Sequence, residues 1–508
     1  MVGSAWLFAP LYAAKIAGPP VVFSWIIAGI AIALIALTFA ELSVLLPVAG
    51  GSAHIPQLSH GTFASFILSW IAWISALAIA PVEVQAILLY TSTYFPSLST
   101  VTHGIHTLSH TGLLYATVLM LLFCIINSVS FRGLSRFNSI LFAFNISIIL
   151  FTLFSLLKTN FHPENFSGFS SAWSLDGLKS MFSAIAMGGI AFAFNGFKHG
   201  VDMAGETKKM AIAIPLATVG AVLFCVLLYT GLQIAFIGAL PASALTQGWQ
   251  SLHFTGDVGP FAGLAAGLGL IWIVKLLCFD AAISPAGSGL SYVTASARVL
   301  YAMSQLGYVP KFLSYLNKQD FPIAAIGVNF ILGMCLFFPF PGWQSLVNFL
   351  VSGIVLSYAI GPIALLSLRF ELPQVSRTFQ LPAARLICLL AFYFCNLMSY
   401  WTGWETISKL AIALCIGIVF FIIACLKSQL KNLSLGLNSL WWMMPYLIGL
   451  ISISYLGAFG GKNIIPFGWD FLVIGIFSAF ILYLAVKNRA PVSEEEWSLR
   501  EKEFAHTA

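Results

Sequence analysis

Long apolar runs separated by short polar stretches fill the sequence, and the length of each run sets what it can be. A bilayer crossing takes about 20 apolar residues. Runs of that size lie near Val21–Leu46, Phe63–Tyr90, Leu113–Val129, Phe137–Leu157, Ser180–Ala204, Ile214–Ala239 and Phe261–Ile283. A second group follows near Ala324–Phe340, Leu346–Leu368, Arg385–Tyr400, Ile407–Leu426, Leu440–Ala458 and Phe467–Val486. The pattern predicts an all-α polytopic membrane protein with thirteen full spans. Ahead of them, Ala5 to Ile16 would rise about 18 Å against a hydrocarbon core of about 30 Å, so a partial first helix is expected there. Only Ser493 to Ala508 reads as a solvated tail.

Composition agrees with this reading. Hydrophobic residues make up 59% of the 508 and charged residues 8%, where a soluble domain carries about 25% charged. With a mean hydropathy of +0.95, the apolar surface exceeds what one soluble core hides. The net charge of +6 is a topology signal, not a nucleic-acid footprint. Arg132, Arg136, Lys208, Lys209, Arg298, Lys311, Lys318, Arg369, Arg377, Arg385, Lys427, Lys431 and the C-terminal basic residues fall in one set of alternate loops. The opposite set holds only Lys158, Lys179 and Lys462. The first set and the C-terminus are therefore expected in the cytoplasm, in a cell (inner) membrane. The count works only if Ala5 to Ile16 is the first helix. No basic n-region or small-residue cleavage site marks a signal peptide.

No GxxxxGK[ST], HExxH or GxSxG pattern occurs, so an ATP-driven pump and a hydrolase lack an anchor, and no cofactor is expected. The eight cysteines are scattered without a CxxC pair, which speaks against disulfide or metal roles. His103, His106 and His110 have helical spacing in a polar loop and read as solvated surface.

Polar residues at membrane depth are costly, and interrupted helices are tolerated in lipid only where they line a cavity. Two places combine these signals: Gly3-Ser4-Ala5-Trp6-Leu7-Phe8-Ala9-Pro10, and the stretch from Gly188-Gly189 through Phe192-Ala193-Phe194-Asn195-Gly196 to Lys198-His199. They fall in the first and sixth helices, as an inverted five-plus-five repeat would place them. Packing by small residues is the competing reading, but it does not require Asn195, Lys198 and Asp202. Lys198 is a candidate to meet an acidic substrate, unless it snorkels or pairs with Asp202 or Glu206. Glu83, after Pro81, is a candidate proton carrier or amine partner. Asp280 is a coupling or gating candidate unless Lys275 neutralises it. Glu41 and Glu206 read as structural or gating.

The stretch Gly196-Phe197-Lys198-His199-Gly200-Val201-Asp202-Met203-Ala204-Gly205-Glu206-Thr207-Lys208-Lys209 followed by Ile214-Pro215 resembles a hallmark of the amino acid, polyamine and organocation superfamily. Pro47-Val48-Ala49-Gly50-Gly51 and Ser296-Ala297-Arg298-Val299-Leu300-Tyr301-Ala302-Met303 resemble further motifs of it. Asp280-Ala281-Ala282-Ile283-Ser284-Pro285 and Ile465-Pro466-Phe467-Gly468-Trp469-Asp470 are similar to its fourteen-helix aspartate/glutamate transporter branch. The resemblance implies a LeuT-like transport core over residues 1–383, four C-terminal helices over 384–490 and a tail over 491–508. It implies that amides of Gly3, Ser4 and Ala5 hold a substrate carboxylate. Carbonyls of Phe192, Ala193, Phe194 and Asn195 would hold the ammonium, with Phe192 as an aromatic lid. The partners expected are a small amino acid and membrane lipid, with no nucleic acid; the oligomeric state stays open.

Two features depart from the superfamily pattern. Many proton-coupled relatives carry a Lys in the fifth helix, seven residues after the Asn of a basic-x-Asn motif. Here the motif reads Arg136-Phe137-Asn138 and the position is Asn145, a neutral amide that cannot shuttle a proton. This favours exchange, or coupling through Glu83. Relatives also have a cytoplasmic tail and a half-helix before the glycine turn, so the gene product is expected to begin upstream of Met1. The functional expectation is a secondary transporter for acidic amino acids, proton-coupled or exchanging. The alternatives are an exchanger of other amino acids or amines, and a truncated, non-transporting membrane protein.

Overall fold

The computed structural model describes residues 2–492 apart from 47–50, 103–104, 129–133, 160, 203, 205–206, 208, 253–258, 320, 341, 376 and 427–436. The Pro47–Gly50 motif, Glu206, His103 and the tail lie outside the described residues, and the Asp202 side chain is likewise not described. Helix dominates, as a chain in lipid requires, because helices satisfy their own backbone groups. In chain order the helices are α1 (Ala5–Ala17), α2 (Val21–Leu45), α3 (Gly51–Ser92), α4 (His110–Ser128), α5 (Leu134–Thr159) and α6 (Leu175–Met187). Next come α7 (Ile190–Val201), α8 (Met210–Ala239), α9 (Pro260–Gly267), α10 (Ile271–Gln305), α11 (Ile323–Cys335) and α12 (Trp343–Glu371). The last four are α13 (Ala384–Trp401), α14 (Trp404–Leu426), α15 (Leu440–Leu456) and α16 (Trp469–Lys487).

Ten of these are long and apolar enough to cross a membrane, and the bent pair α6–α7 makes an eleventh candidate. The other two expected spans are α11 and α15, shorter apolar helices of 13 and 17 residues. The expected Phe261–Ile283 span is corrected: α9 ends at Gly267, a turn with Gly269 at φ 74° follows, and the spanning helix is α10, 35 residues from Ile271. At 1.5 Å per residue α10 is about 52 Å long, so it runs past one membrane face. A two-stranded hairpin, β1 (Ser99–Thr102) with β2 (Ile105–Leu108), fills the α3–α4 connection, where no strand is predicted.

Burial sorts the helices into layers. The apolar windows of α12 and α3 are 100% and 89% buried, whereas those of α4, α5, α8 and α14 are 28% buried and present Leu114, Phe154, Leu227 and Leu426 outward. The outer helices therefore face lipid, and α3 and α12 form the centre. Lipid gives no hydrophobic reason for helices to associate, so small residues and polar links do the work. A Cβ on Gly361 would come within 2.6 Å of Phe39, and one on Gly417 within 2.6 Å of Trp70. Asn396 Nδ2 donates to Ser478 Oγ at 2.9 Å and Tyr446 Oη donates to Asn396 Oδ1 at 2.8 Å, tying α13, α15 and α16.

Candidate functional site

The site starts from two helix interruptions. Gly188 and Gly189 separate α6 from α7, which bend by 45°. Gly189 has φ 86°, a left-handed value that strains any residue with a Cβ, and a Cβ there would also sit 3.0 Å from Trp343. A Cβ on Gly188 would lie 2.8 Å from the Ala13 Cα. The glycine pair thus permits both the turn and the close approach of α1. On the other side, α1 opens at Ser4, where the first amides of a helix have no intrahelical acceptor.

Between α1, α3, α5, α7 and α10 lies a cavity of ≈ 200 Å³ whose lining includes Gly3, Ala5, Glu83, Asn145, Phe192, Asn195, His199, Ser284 and Ser288. The Glu83 carboxyl reaches the start of α1: the Ser4 amide donates to Oε2 at 2.9 Å, and Ser288 Oγ donates to Oε1 at 2.8 Å. A Cβ on Gly3 would approach Oε1 to 2.6 Å, so glycine there makes room for the carboxyl. Asn145 Nδ2 donates to Ser284 Oγ at 2.7 Å. Neither Asn145 Oδ1 nor Asn195 Nδ2 has a hydrogen-bond partner among the described residues. The Asn195 carbonyl accepts from Tyr358 Oη at 3.1 Å. Among the described residues no group of His, Cys, Asp and Glu is arranged to hold a metal ion.

The structure brings most of the expected residues to this cavity, but not all. Gly3, Ala5, Phe192, Asn195, Glu83 and Asn145 line it. Ser4 is buried and does not line it, but its amide is bound to the lining Glu83. Phe194 points away, its ring centroid 5.8 Å from Trp25 and 5.9 Å from Tyr229, and Ala193 is buried without lining it. Lys198 lines an adjoining void of ≈ 50 Å³ that shares Asn195, His199 and Tyr292 with the cavity. Its ammonium stands 5.5 Å and 5.9 Å from the rings of Tyr358 and Phe39.

Asp280 is fully buried, and both its oxygens lack a hydrogen-bond partner among the described residues. Lys275 is exposed and does not neutralise it, because five residues along a helix turn two side chains to different faces. Glu41 is structural: it accepts two bonds from Arg369, at 2.8 and 2.6 Å, and one from the Leu381 amide at 2.7 Å, with Arg377 at 3.4 Å.

Three participants escaped the sequence reading. Trp343 opens α12, donates Nε1–H to Ser4 Oγ at 3.1 Å, and stacks on Phe8 and Tyr12 at 5.0 and 5.6 Å. It lies 6.2 Å from Phe192, so one indole joins α1, α7 and α12. Gln233 donates to the Pro10 carbonyl at 3.1 Å and accepts from Trp25; a lone amide in the apolar run of α8 is its signal. Ser288 carries no signal beyond being polar at membrane depth.

Comparison with known proteins places this geometry in a family. A profile described as amino acid permease matches residues 1–421. The chain is 36% identical over 494 residues to the glutamate/serine transporter AimA of Bacillus subtilis, covering 96% of this chain and 91% of that protein. It is 33% identical over 495 residues to the aspartate-proton symporter of the same organism, covering 96% and 94%. The branched-chain amino acid permease BcaP is 26% identical over 431 residues, covering 82% and 88%. With interrupted helices around a polar cavity, many apolar helices and a family match over most of its length, the chain belongs to the amino acid permeases and is a multi-pass membrane transporter.

Proposed function

We propose that this permease is a secondary active transporter of acidic amino acids in the cell membrane, with its C-terminus in the cytoplasm. The relatives named for glutamate and for aspartate, each more than 30% identical, support the substrate class. In this reading residues 1–383 form a LeuT-like inverted repeat, 384–490 add four helices around it, and 491–508 are a tail. Substrate sits in the cavity with its α-carboxylate toward the amides of Gly3, Ser4 and Ala5. Its ammonium lies toward the carbonyls of Phe192, Ala193, Phe194 and Asn195. Phe192 closes over it, and Lys198 biases the adjoining space toward a negative side chain.

The observation that carries the mechanism is the bond from the Ser4 amide to the Glu83 carboxyl. A substrate carboxylate needs the same donor. Two carboxylates that close do not both stay ionised, so arrival of substrate drives a proton onto Glu83 or drives Glu83 off the amide. In the first case substrate and proton are linked at one atom and outward-to-inward cycling carries both; in the second the carboxylate is displaced with no proton taken up, and transport is not proton-coupled through Glu83. Asn145, a neutral amide bonded to Ser284, takes no part in that proton transfer and orients the serine. It is also the observation that favours a second reading, exchange of one amino acid for another without net proton movement.

Uptake of radiolabelled aspartate, glutamate, arginine and GABA into proteoliposomes separates these readings. A pH gradient that drives aspartate or glutamate into otherwise empty vesicles supports symport. Flux only with internal amino acid supports exchange, and no flux of any of the four contradicts both.

A further inference from the structure

The proton linkage at Glu83 leaves a second buried carboxyl unused. Asp280 is buried in α10 with neither oxygen hydrogen-bonded among the described residues, and an ionisable group at membrane depth is costly enough to mark a candidate functional position. The Tyr90 hydroxyl of α3 lies within electrostatic reach of it, and Cys278 of α10 within reach of Tyr90. Tyr94, 56% exposed just beyond α3, reaches Cys278 from the surface. The short helix α9 over this end, Pro-Phe-Ala-Gly-Leu-Ala-Ala-Gly, contributes no ionisable side chain. From α5, the rings of Phe144 and Phe151 and the Asn145 amide meet α10 here.

Asp280, Ser284 and Ser288 follow one another at four-residue spacing, so they share one face of α10 with steps of about 6 Å. Ser284 holds Asn145 and Ser288 holds Glu83. Pro285 interrupts the same stretch; having no N–H, it leaves the Ala281 carbonyl without its helical donor. A polar seam therefore runs along α10 from Asp280, near the end of α3, to the carboxyl that touches the Ser4 amide.

We propose that Asp280 is a second proton carrier, which exchanges protons with water at the α3 C-terminal end and passes them along this seam to Glu83. The Asp280 carboxylate takes a proton from hydronium. The proton then moves to the Glu83 carboxylate, which regenerates ionised Asp280, and Glu83 releases it when the carrier opens to the other side. The proposal rests on Glu83 being the coupling carboxyl.

The test uses the full chain in proteoliposomes, with Asp280→Asn and Asp280→Glu. Aspartate uptake driven by a pH gradient should fall about a hundredfold in Asp280→Asn, the scale of losing a positioned proton carrier. Exchange of internal for external aspartate at equal pH, which needs no net proton transfer, should be unchanged, and Asp280→Glu should restore uptake. In an Asp280→Asn protein that still binds aspartate, equal losses of uptake and exchange, or no loss of uptake, overturn the proposal. If Asp280→Asn does not bind aspartate, Asp280→Glu decides: a shifted pH profile of uptake with normal exchange supports the carrier, and a wild-type profile overturns it. The pH dependence of aspartate binding at equilibrium, measured on the wild type, tests Glu83 separately. A flat profile there removes the Glu83 reading and with it the relay to Glu83, whereas a sloped profile with an unchanged uptake-to-exchange ratio in Asp280→Asn overturns the Asp280 step alone.

Discussion

At the scale of single residues, the site is organised by groups that each do two things. Ser4 donates its amide N–H to Glu83 and accepts the Trp343 indole N–H at its hydroxyl oxygen, so the start of α1 and the Trp343 ring are mechanically one piece. Trp343→Phe keeps the ring stack and loses the bond to Ser4. Substrate binding should weaken by about 1 kcal/mol, roughly fivefold, as read by scintillation proximity binding of aspartate. No change would mean that the hydroxyl is fixed by something else. Lys198 is the second residue-scale test. If it biases the site toward a negative side chain, Lys198→Gln lowers affinity for aspartate more than for a neutral analogue of similar size, and equal losses make it structural. These side chains were unequally legible in the sequence. Glu83, Asn195 and Lys198 stand out because charge and amide are rare in apolar runs. The Ser4–Glu83 and Ser4–Trp343 pairs join positions 79 and 339 residues apart, and no local pattern records such distances.

At the scale of elements, the break between α6 and α7 is written locally, since a glycine pair followed by polar residues leaves the helix both permission and reason to stop. Gly189→Ala tests its cost. A left-handed backbone charges an L-residue about 1–2 kcal/mol, and the added methyl also meets Trp343, so a lower unfolding temperature and slower uptake are expected together. Where the sequence misled, the cause is also local. The run Phe261–Ile283 is apolar apart from Lys275 and Asp280, so hydropathy reads a single span across the Leu268–Gly269 turn that separates α9 from α10. Glu41 holds α2 to the end of α12 and to the Leu381 loop from a fully buried position. Removing it strands Arg369 and the nearly buried Arg377, and Glu41→Ala should destabilise the protein by about 3 kcal/mol or more, seen as a drop in the unfolding midpoint in detergent. A midpoint equal to that of the wild type would show that the two arginines find other partners.

At the scale of the whole molecule, apolar run length and loop charge made the polytopic character readable, because lipid imposes both. The arrangement of the helices was not readable in the same way, since lipid-facing and central helices are equally apolar: α8 and α12 have similar hydropathy, 2.6 and 2.1, yet their windows are 28% and 100% buried. The assembly brings α1, α3 and α10 together at Glu83, and in the proposed mechanism the Ser4 amide serves either that carboxyl or a substrate carboxylate. The sign of the resulting linkage is fixed. If binding puts a proton on Glu83, substrate affinity falls as pH rises through the range where Glu83 is ionised in the empty protein, by up to about tenfold per pH unit. Glu83→Gln has no proton to gain, so its affinity should not change with pH. The decisive measurement is therefore aspartate binding at equilibrium from acidic to mildly alkaline pH, wild type against Glu83→Gln. A steep wild-type profile and a flat variant profile are predicted, and a variant that keeps the wild-type slope would contradict the account.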